Sequence, residues 1–500
     1  MSSWSLLPVL RPADSSLRLD NSLSNHILKN KRSLCERRGD AAGKPEVEKE
    51  CRILSRLIIS VSGLRGVVGE TLTPEIAARY ARAFARQLPA GPLVLARDSR
   101  PSGRMLLDAI RSSLHAVGRD TIDAGIAATP TVGFFLRQES AAGAIQVSAS
   151  HNPAPYNGMK LFGADGAVID AARGDTVRTY YEEDRPCWVS FDRLGSSRMA
   201  EDPHAGHLQA VLALVDREAV TGRRFRVLLD SNHGAGSLLG RRLLEELGCE
   251  VTLLGEAPHG RFAHPPEPTR SNLAEVGGQV VSSGAAVGFC QDPDADRLAI
   301  IDERGRYIGE EMTLALCLKH VLARRPGPIA INCATSRMAV DLARQVGAEC
   351  HLAAVGEANV VAMMRKTDAV FGGEGNGGPI DPRVGFVRDS FVGMALALDA
   401  MALENKTVSQ LVEAIPAYAI VKRTVDASGQ SLEKAFRRLE SHFSGARSNR
   451  MDGLRLDWDR RWLLVRPSNT EPIVRLIAEA QTETEAAGLC DEAAEVFSTK

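Results

Sequence analysis

The chain has little of what would mark a secreted, membrane-spanning or nucleic-acid-binding protein. No run approaches 18 apolar residues, so no transmembrane helix and no membrane partner are predicted. The N-terminal stretch from Leu6 to Leu10 is short and broken by Pro8, unlike the apolar core of a signal peptide. There is no charge excess of either sign: 61 basic residues face 62 acidic ones, for a net charge of -1. That balance argues against nucleic acid as a partner, although a local basic pocket for an anionic metabolite remains open. The nine cysteines are odd in number and no pair is spaced C-x-x-C, which argues against a disulfide scaffold or a zinc site. Reduced, mostly buried thiols in a cytoplasmic protein are expected. The nucleotide P-loop pattern G-x-x-x-x-G-K-[ST] is missing. Gly234, Gly236 and Gly240 after Asp230 are spaced G-x-G-x-x-x-G, which reads as a packing turn rather than a dinucleotide loop.

What is present is ordinary globular composition, 44% hydrophobic and 25% charged over 500 residues. That length allows roughly three or four domains. Residues 1–52 are polar, lack periodicity and read as a disordered or weakly ordered extension. From residue 57 onward, strand, polar loop and helix alternate. Strands are expected at 57–61, 92–96, 120–124, 141–147, 225–229, 250–254 and 328–332, with helices between them. Three such blocks suggest three related mixed α/β domains, at 55–205, 206–307 and 308–415. Residues 416–500 read differently: strand, helix, hairpin, strand and a terminal helix opened by a Thr482/Glu485 capping box, which is a small α+β domain.

Four stretches carry chemistry. Ser148-Ala-Ser150-His151-Asn152-Pro153 ends a short buried strand, and the Asn-Pro pair forces a turn that exposes a hydroxyl. Ser150 would need a base or a metal to become a nucleophile; the plain alternative is a Ser/Asn/Pro turn. Asp292-Pro-Asp294-Ala-Asp296-Arg297 lies between two strands and can converge three carboxylates on one hard cation. A Mg²⁺ site open to a phosphate ligand stands here beside a metal-free acidic turn. An EF-hand fits poorly, because Arg297 replaces the glycine and a strand follows. Gly373-Glu374-Gly-Asn376-Gly377-Gly378 allows close ligand approach, with Glu374 and Asn376 able to bond sugar hydroxyls, or it is a flexible turn. Arg466-Pro-Ser468-Asn469-Thr470-Glu-Pro472, with Arg475 beyond, can grip a phosphate or form a salt-bridged surface turn. Arg65 and Lys160 read as lone cations on loops.

In this order and spacing the four stretches resemble the α-D-phosphohexomutase superfamily from about residue 57 to the C-terminus. Gly63-Leu-Arg65-Gly66, Arg97-Asp-Ser-Arg100-Pro-Ser-Gly103 and Pro266-Glu267-Pro268 are lesser echoes. The resemblance implies four domains around a central active-site cleft and Ser150 carried as phosphoserine. It implies one Mg²⁺ per subunit held by Ser150, Asp292, Asp294 and Asp296, and a hexose 1,6-bisphosphate activator. It implies that Glu374, Asn376 and Gly377 read the sugar, and that Arg466, Ser468, Asn469, Thr470 and Arg475 grip its phosphate. Lys160, Arg65 and Arg297 align with residues near the reacting groups, and His151 is expected to order its loop. Some relatives carry a His where this chain has Gly378. The substrates implied are small hexose phosphates, glucosamine phosphate first and mannose or glucose phosphate as alternatives, in a monomer or homodimer. A metal-dependent sugar phosphatase and a non-catalytic sugar-phosphate binder are the competing readings.

Overall fold

Seven strands build the first sheet: β1 (Ile58–Ser60), β2 (Gly63–Val67), β3 (Leu93–Arg97), β4 (Thr121–Ile126), β5 (Gly143–Val147), β6 (Tyr156–Gly163) and β7 (Ser197–Met199). Their order is β1-β2-β6-β5-β3-β4-β7. The structure is a computed structural model that describes residues 57–60, 63–468 and 472–498. The extension expected over 1–52 lies outside those residues, as do Asn469 and Thr470.

The second sheet contains β8 (Arg226–Asp230), β9 (Glu250–Leu254), β10 (Val287–Gln291) and β11 (Leu298–Asp302), in the order β11-β10-β8-β9. The third contains β12 (Ile329–Asn332), β13 (Cys350–Ala353), β14 (Phe371–Glu374) and β15 (Gly378–Ile380), in the order β13-β12-β14-β15. All three sheets share one wiring. Two strands run parallel, a third adds in parallel beside the first, and a fourth returns antiparallel beside the third. In the first sheet those four are β3, β4, β5 and β6. The three α/β units are thus repeats of one topology, with helices covering the sheets as parallel crossovers require.

The repeat fixes where the functional loops fall. Residues 148–155 join β5 to β6, residues 292–297 join β10 to β11, and residues 375–377 join β14 to β15. Each loop bends through a left-handed residue: Ser150 at φ +49°, Ala295 at φ +54° and Gly377 at φ +78°. For a serine or an alanine that conformation costs about 1–3 kcal/mol and persists only where neighbours hold it. The hairpin also corrects one expectation. Lys160 lies on β6, and Arg65 on β2 beside it, so neither is on a loop.

The last sheet is wholly antiparallel: β16 (Ala419–Asp426), β17 (Arg447–Asn449), β18 (Leu454–Asp457), β19 (Trp462–Pro467) and β20 (Ile473–Ala480), in the order β16-β20-β19-β18-β17. The helices Leu432–His442 and Glu483–Ser498 pack on one face around Leu463, Val465, Leu476 and Ala478. The alternate residues Trp462 and Leu464 pack on Cys333 of the third unit. Strand alternation therefore sends Arg466 to the side facing that unit.

One helix, Ser390–Glu404, was not evident from periodicity. Every residue from Ser390 to Met401 is buried, so it shows no polar stripe. It runs through the core shared by the second and third units. Its cap Asp389 accepts from Phe391 N and Val392 N, and also bonds His207 Nε2 at 2.7 Å.

Candidate active site

Ser150 is buried, and its Oγ donates to Asp292 Oδ2 at 2.8 Å. Its left-handed backbone is held from several sides. Ser150 N donates to Ser148 Oγ at 2.9 Å, and that hydroxyl donates to Asp98 Oδ2 at 2.7 Å. Arg100, fully buried, pairs through Nε with the same Asp98 oxygen at 3.1 Å. Its two Nη groups then donate to the carbonyls of Ser150 at 2.7 Å, Asn152 at 2.5 Å, Pro153 at 2.9 Å and Tyr156 at 3.0 Å. One guanidinium thus sets the shape of the whole serine loop. Sequence reasoning missed it, since Asp98 and Arg100 appeared only as part of a lesser echo. The available signal was Asp-x-Arg immediately after a strand.

The aspartate hairpin is clamped as firmly. Thr129 Oγ1 donates to Asp294 Oδ2 at 2.5 Å, and Thr129 N to Asp294 O at 2.9 Å. Ser390 Oγ donates to Ala295 O at 2.7 Å and accepts from Gln291 Nε2 at 2.7 Å. Asp292 Oδ1 accepts from the backbone N of Asp296 and Arg297. All three aspartates are fully buried, and one oxygen of each lies within 4.8 Å of the others, a cluster able to hold a metal ion. Asp294 Oδ1 and Asp296 Oδ1 are buried with no hydrogen-bond partner. Orphaned carboxylate oxygens in such a place are costly unless a cation completes them. The residues therefore fit a hard divalent ion.

Lys160 Nζ donates to Asp294 Oδ2 and Asp296 Oδ2, both at 2.6 Å. Burial alone would lower its ammonium; the two carboxylates outweigh it and raise it well above the lysine range. With both carboxylates beside it, Lys160 is held as an ammonium. Burial would likewise raise the Asp294 carboxyl, yet Lys160 holds it below the usual range. Asp292 is raised well above that range by burial and by its two acidic neighbours. Three close carboxyls thus do not all ionise at once without more positive charge. His151 Nδ1 is 3.4 Å from Ser150 Oγ. Burial, with Arg297 and Arg65 nearby, pushes its imidazole down to about 3, so it is neutral and a poor base at pH 7.

A cavity of about 320 Å³ opens beside this cluster. Arg65 and Lys160 from the first unit, Arg297 from the second, and Glu374, Asn376 and Arg388 from the third line it. Arg65 Nη1 donates to Asn152 Oδ1 at 3.2 Å, and Arg297 lies 3.7 Å from Glu267. Glu374 accepts from Asn332 Nδ2, Gly356 N, Asn376 Nδ2 and Arg388 Nη1. Asn376 Oδ1 is buried and unpartnered. Gly377 packs instead of lining the cavity: its carbonyl accepts from Leu298 N at 2.8 Å, and a Cβ there would lie 2.2 Å from Leu298 O.

Arg466 and Arg475 face each other in register across β19 and β20. Like charges opposed on a sheet are unfavourable, so this pair suits an anion. Arg466 Nε donates to Asp452 Oδ2 at 2.8 Å, and Val355 N, on the cavity wall, donates to the same oxygen at 2.9 Å. Ser468 N donates to Ile473 O at 2.9 Å.

Three repeated α/β units meet at a buried serine beside a carboxylate triad, and a terminal α+β domain packs on the third unit. The family models for phosphoglucomutase/phosphomannomutase match in chain order: domain I over residues 56–186, domain II over 205–305, domain III over 310–418 and the C-terminal domain over 422–496. A "Probable phosphoglucosamine mutase" of Methanopyrus kandleri is 33% identical over 437 residues, covering 86% of this chain and 95% of its own. A "Phosphoglucomutase/phosphomannomutase" of Thermococcus kodakarensis is 36% identical over 433 residues, covering 85% and 94%. The crystal structure of a phosphoglucomutase/phosphomannomutase family protein from Burkholderia thailandensis superposes with a TM-score of 0.77 at 27% identity, covering 88% and 96%. The chain belongs to the phosphoglucomutase/phosphomannomutase family of the α-D-phosphohexomutase superfamily. It is a mutase, an isomerase by reaction class.

Proposed function

We propose that this mutase interconverts glucosamine 6-phosphate and glucosamine 1-phosphate, with Ser150 as the phosphate carrier. The observation that carries the reading is the Ser150 Oγ–Asp292 bond within a buried cluster that also holds Asp294, Asp296 and Lys160. Mg²⁺, which Asp292, Asp294 and Asp296 would hold beside Ser150, would supply positive charge to offset the negative charge of the transferring phosphoryl group. A hexose 1,6-bisphosphate would load the serine at the start, in a cytoplasmic monomer or homodimer.

The chain's own residues divide the remaining work. A free sugar hydroxyl attacks the phosphorus, so a sugar O–P bond forms as the Ser150 Oγ–P bond breaks, and the proton lost by the sugar hydroxyl is balanced by one gained at the freed Ser150 Oγ. Such transfer is loose and mainly needs positioning and charge. Lys160, Arg65 and Arg297 supply fixed cations around the phosphoryl oxygens, and Arg100 keeps Oγ in place through the loop backbone. Glu374 and Asn376 hold the sugar. Arg466, Arg475 and the loop carrying Ser468, Asn469 and Thr470 hold the phosphate already present. The resulting bisphosphate turns end for end, and Ser150 takes back the other phosphate. Both poses use the same distal clamp, so they bind with similar free energy.

The names of several relatives support glucosamine phosphate as substrate. The Thermococcus kodakarensis relative supports a second reading, glucose or mannose phosphate. Turnover of the three sugar phosphates, compared side by side, decides between them. Full isomer formation by Ser150→Ala would overturn the carrier role. Release of inorganic phosphate without isomer would make the protein a phosphatase.

A further inference from the structure

Arg388 has no role in the mechanism above, yet it is the most heavily bridged cation at the site. Its Nη2 donates to Asp296 Oδ2 at 2.7 Å and its Nη1 to Glu374 Oε2 at 3.0 Å. Its Nε lies 3.5 Å from Glu357 Oε2, and its backbone N donates to Glu357 Oε1 at 2.7 Å. One rigid fork therefore joins the metal hairpin, the sugar loop and the helix Glu357–Lys366. Space for it comes from the glycine at the end of the sugar loop. A Cβ on Gly378 would sit 2.4 Å from Arg388 Cδ. The following residues extend the clamp, since Asp389 caps a helix and bonds His207, while Ser390 holds Ala295 O.

The charges make this link consequential. Lys160 Nζ and Arg388 Nη2 share Asp296 Oδ2, while Asp296 Oδ1 is buried and unpartnered. How strongly Arg388 neutralises Asp296 sets how much negative charge that carboxylate has left for a cation. Glu374 draws on the same guanidinium from the sugar side. The bonds made by Glu374 run to Asn332, Gly356, Asn376 and Arg388, so its effect on the aspartates passes through Arg388.

We infer that Arg388 is a positioning residue that couples the sugar loop to the metal hairpin, so that occupation of one site changes the affinity of the other. The inference rests on the proposed reading of Asp292, Asp294 and Asp296 as the metal site. By reciprocity, a change made at Glu374 must then appear as a change in metal affinity.

The test is a double-mutant cycle on Mg²⁺ binding without sugar, read by isothermal titration. Glu374→Gln releases Arg388 to neutralise Asp296 more fully, and should raise the Mg²⁺ dissociation constant about fivefold, the low end of typical coupling. In an Arg388→Lys background the ammonium cannot span both carboxylates, and the same change should shift the constant less than twofold. Arg388→Met repeats the cycle without charge, and thermal melts check that each variant is folded. If Arg388→Met does not fold, the lysine variant carries the comparison. An equal effect of Glu374→Gln in both backgrounds, or none in the wild type, would overturn the coupling. Failure of the wild type to form isomer from any hexose phosphate would overturn the mutase reading instead, and the two failures are read in separate assays.

Discussion

Arg100 offers the sharpest test of how the serine loop is held. Replacing it with methionine keeps most of the stem and removes every donor. The carbonyls of Ser150, Asn152 and Tyr156 then lose the guanidinium donor they have in the structure, while Pro153 O still accepts from Tyr156 N at 3.0 Å. Three orphaned carbonyls cost about 3–9 kcal/mol together. Asp98 keeps Ser148 Oγ and the backbone N of residue 100 but loses its buried counter-charge, for about 3–5 kcal/mol more. The sum, roughly 6–14 kcal/mol, is comparable with the whole stability of a typical domain. The loop is therefore expected to relax before the domain pays that cost in full. Arg100→Lys is milder: three donors can serve Asp98 and two carbonyls, leaving one group short, for about 1–3 kcal/mol. Because Ser150 Oγ is placed through Ser150 O, a shift of about 1 Å should lower kcat about 100-fold in either variant. Urea unfolding followed by circular dichroism, together with isomerase turnover, reads both quantities. Two variants within 1 kcal/mol of wild type and within threefold of its kcat would refute the reasoning.

Mg²⁺ at a hundred times its dissociation constant should stabilise the protein by about 2.7 kcal/mol, and chelation should remove the gain. Asp294→Asn, measured by the same thermal shift, should lose most of it. Burial pushes the Glu311 carboxyl up to about 8. The folded state therefore keeps a proton that the unfolded chain releases near the ordinary glutamate range, and stability should fall as pH rises from about 5 to 8, then level off. Glu311→Gln should flatten that slope in thermal melts, and an unchanged slope would remove Glu311 as its source. Gly260 has φ +67°, and a Cβ there would lie 2.4 Å from Ser99 O. Gly260→Ala should cost about 1–3 kcal/mol by strain alone and lower kcat, because the displaced loop adjoins Arg100; wild-type melting and turnover would contradict this.

Much of the molecule was legible in its sequence, for identifiable reasons. Strand-ending polar loops carry a local signal, and Ser150, the aspartate triad, residues 375–377 and Ser468 all sit in such places. What stayed hidden has no local signature. Arg100 binds carbonyls about fifty residues away, Thr129 reaches Asp294 across 165 positions, and Arg388 reaches Asp296 across 92. A lone arginine or threonine in a sequence gives no hint of such partners. β6 was missed because Asn-Gly after the Asn-Pro turn reads as more loop. The helix Ser390–Glu404 was missed because burial on every side erases the period. Lys160 was misplaced for the first of these reasons: its contacts with Asp294 and Asp296 depend on a strand that the turn chemistry conceals.

The ion pairs of Lys160 also bear on how the protein is made. Its two partners lie 134 and 136 residues further along the chain. At typical synthesis rates that interval takes on the order of ten seconds. During that time the nascent first unit must tolerate, in or near its sheet, an amine whose native counter-charges do not yet exist. The cation to which the proposed mechanism gives a role is thus left without its partners until the second unit arrives. The first unit made alone should be less stable than its sheet suggests, and addition of the second should complete its fold as well as its site.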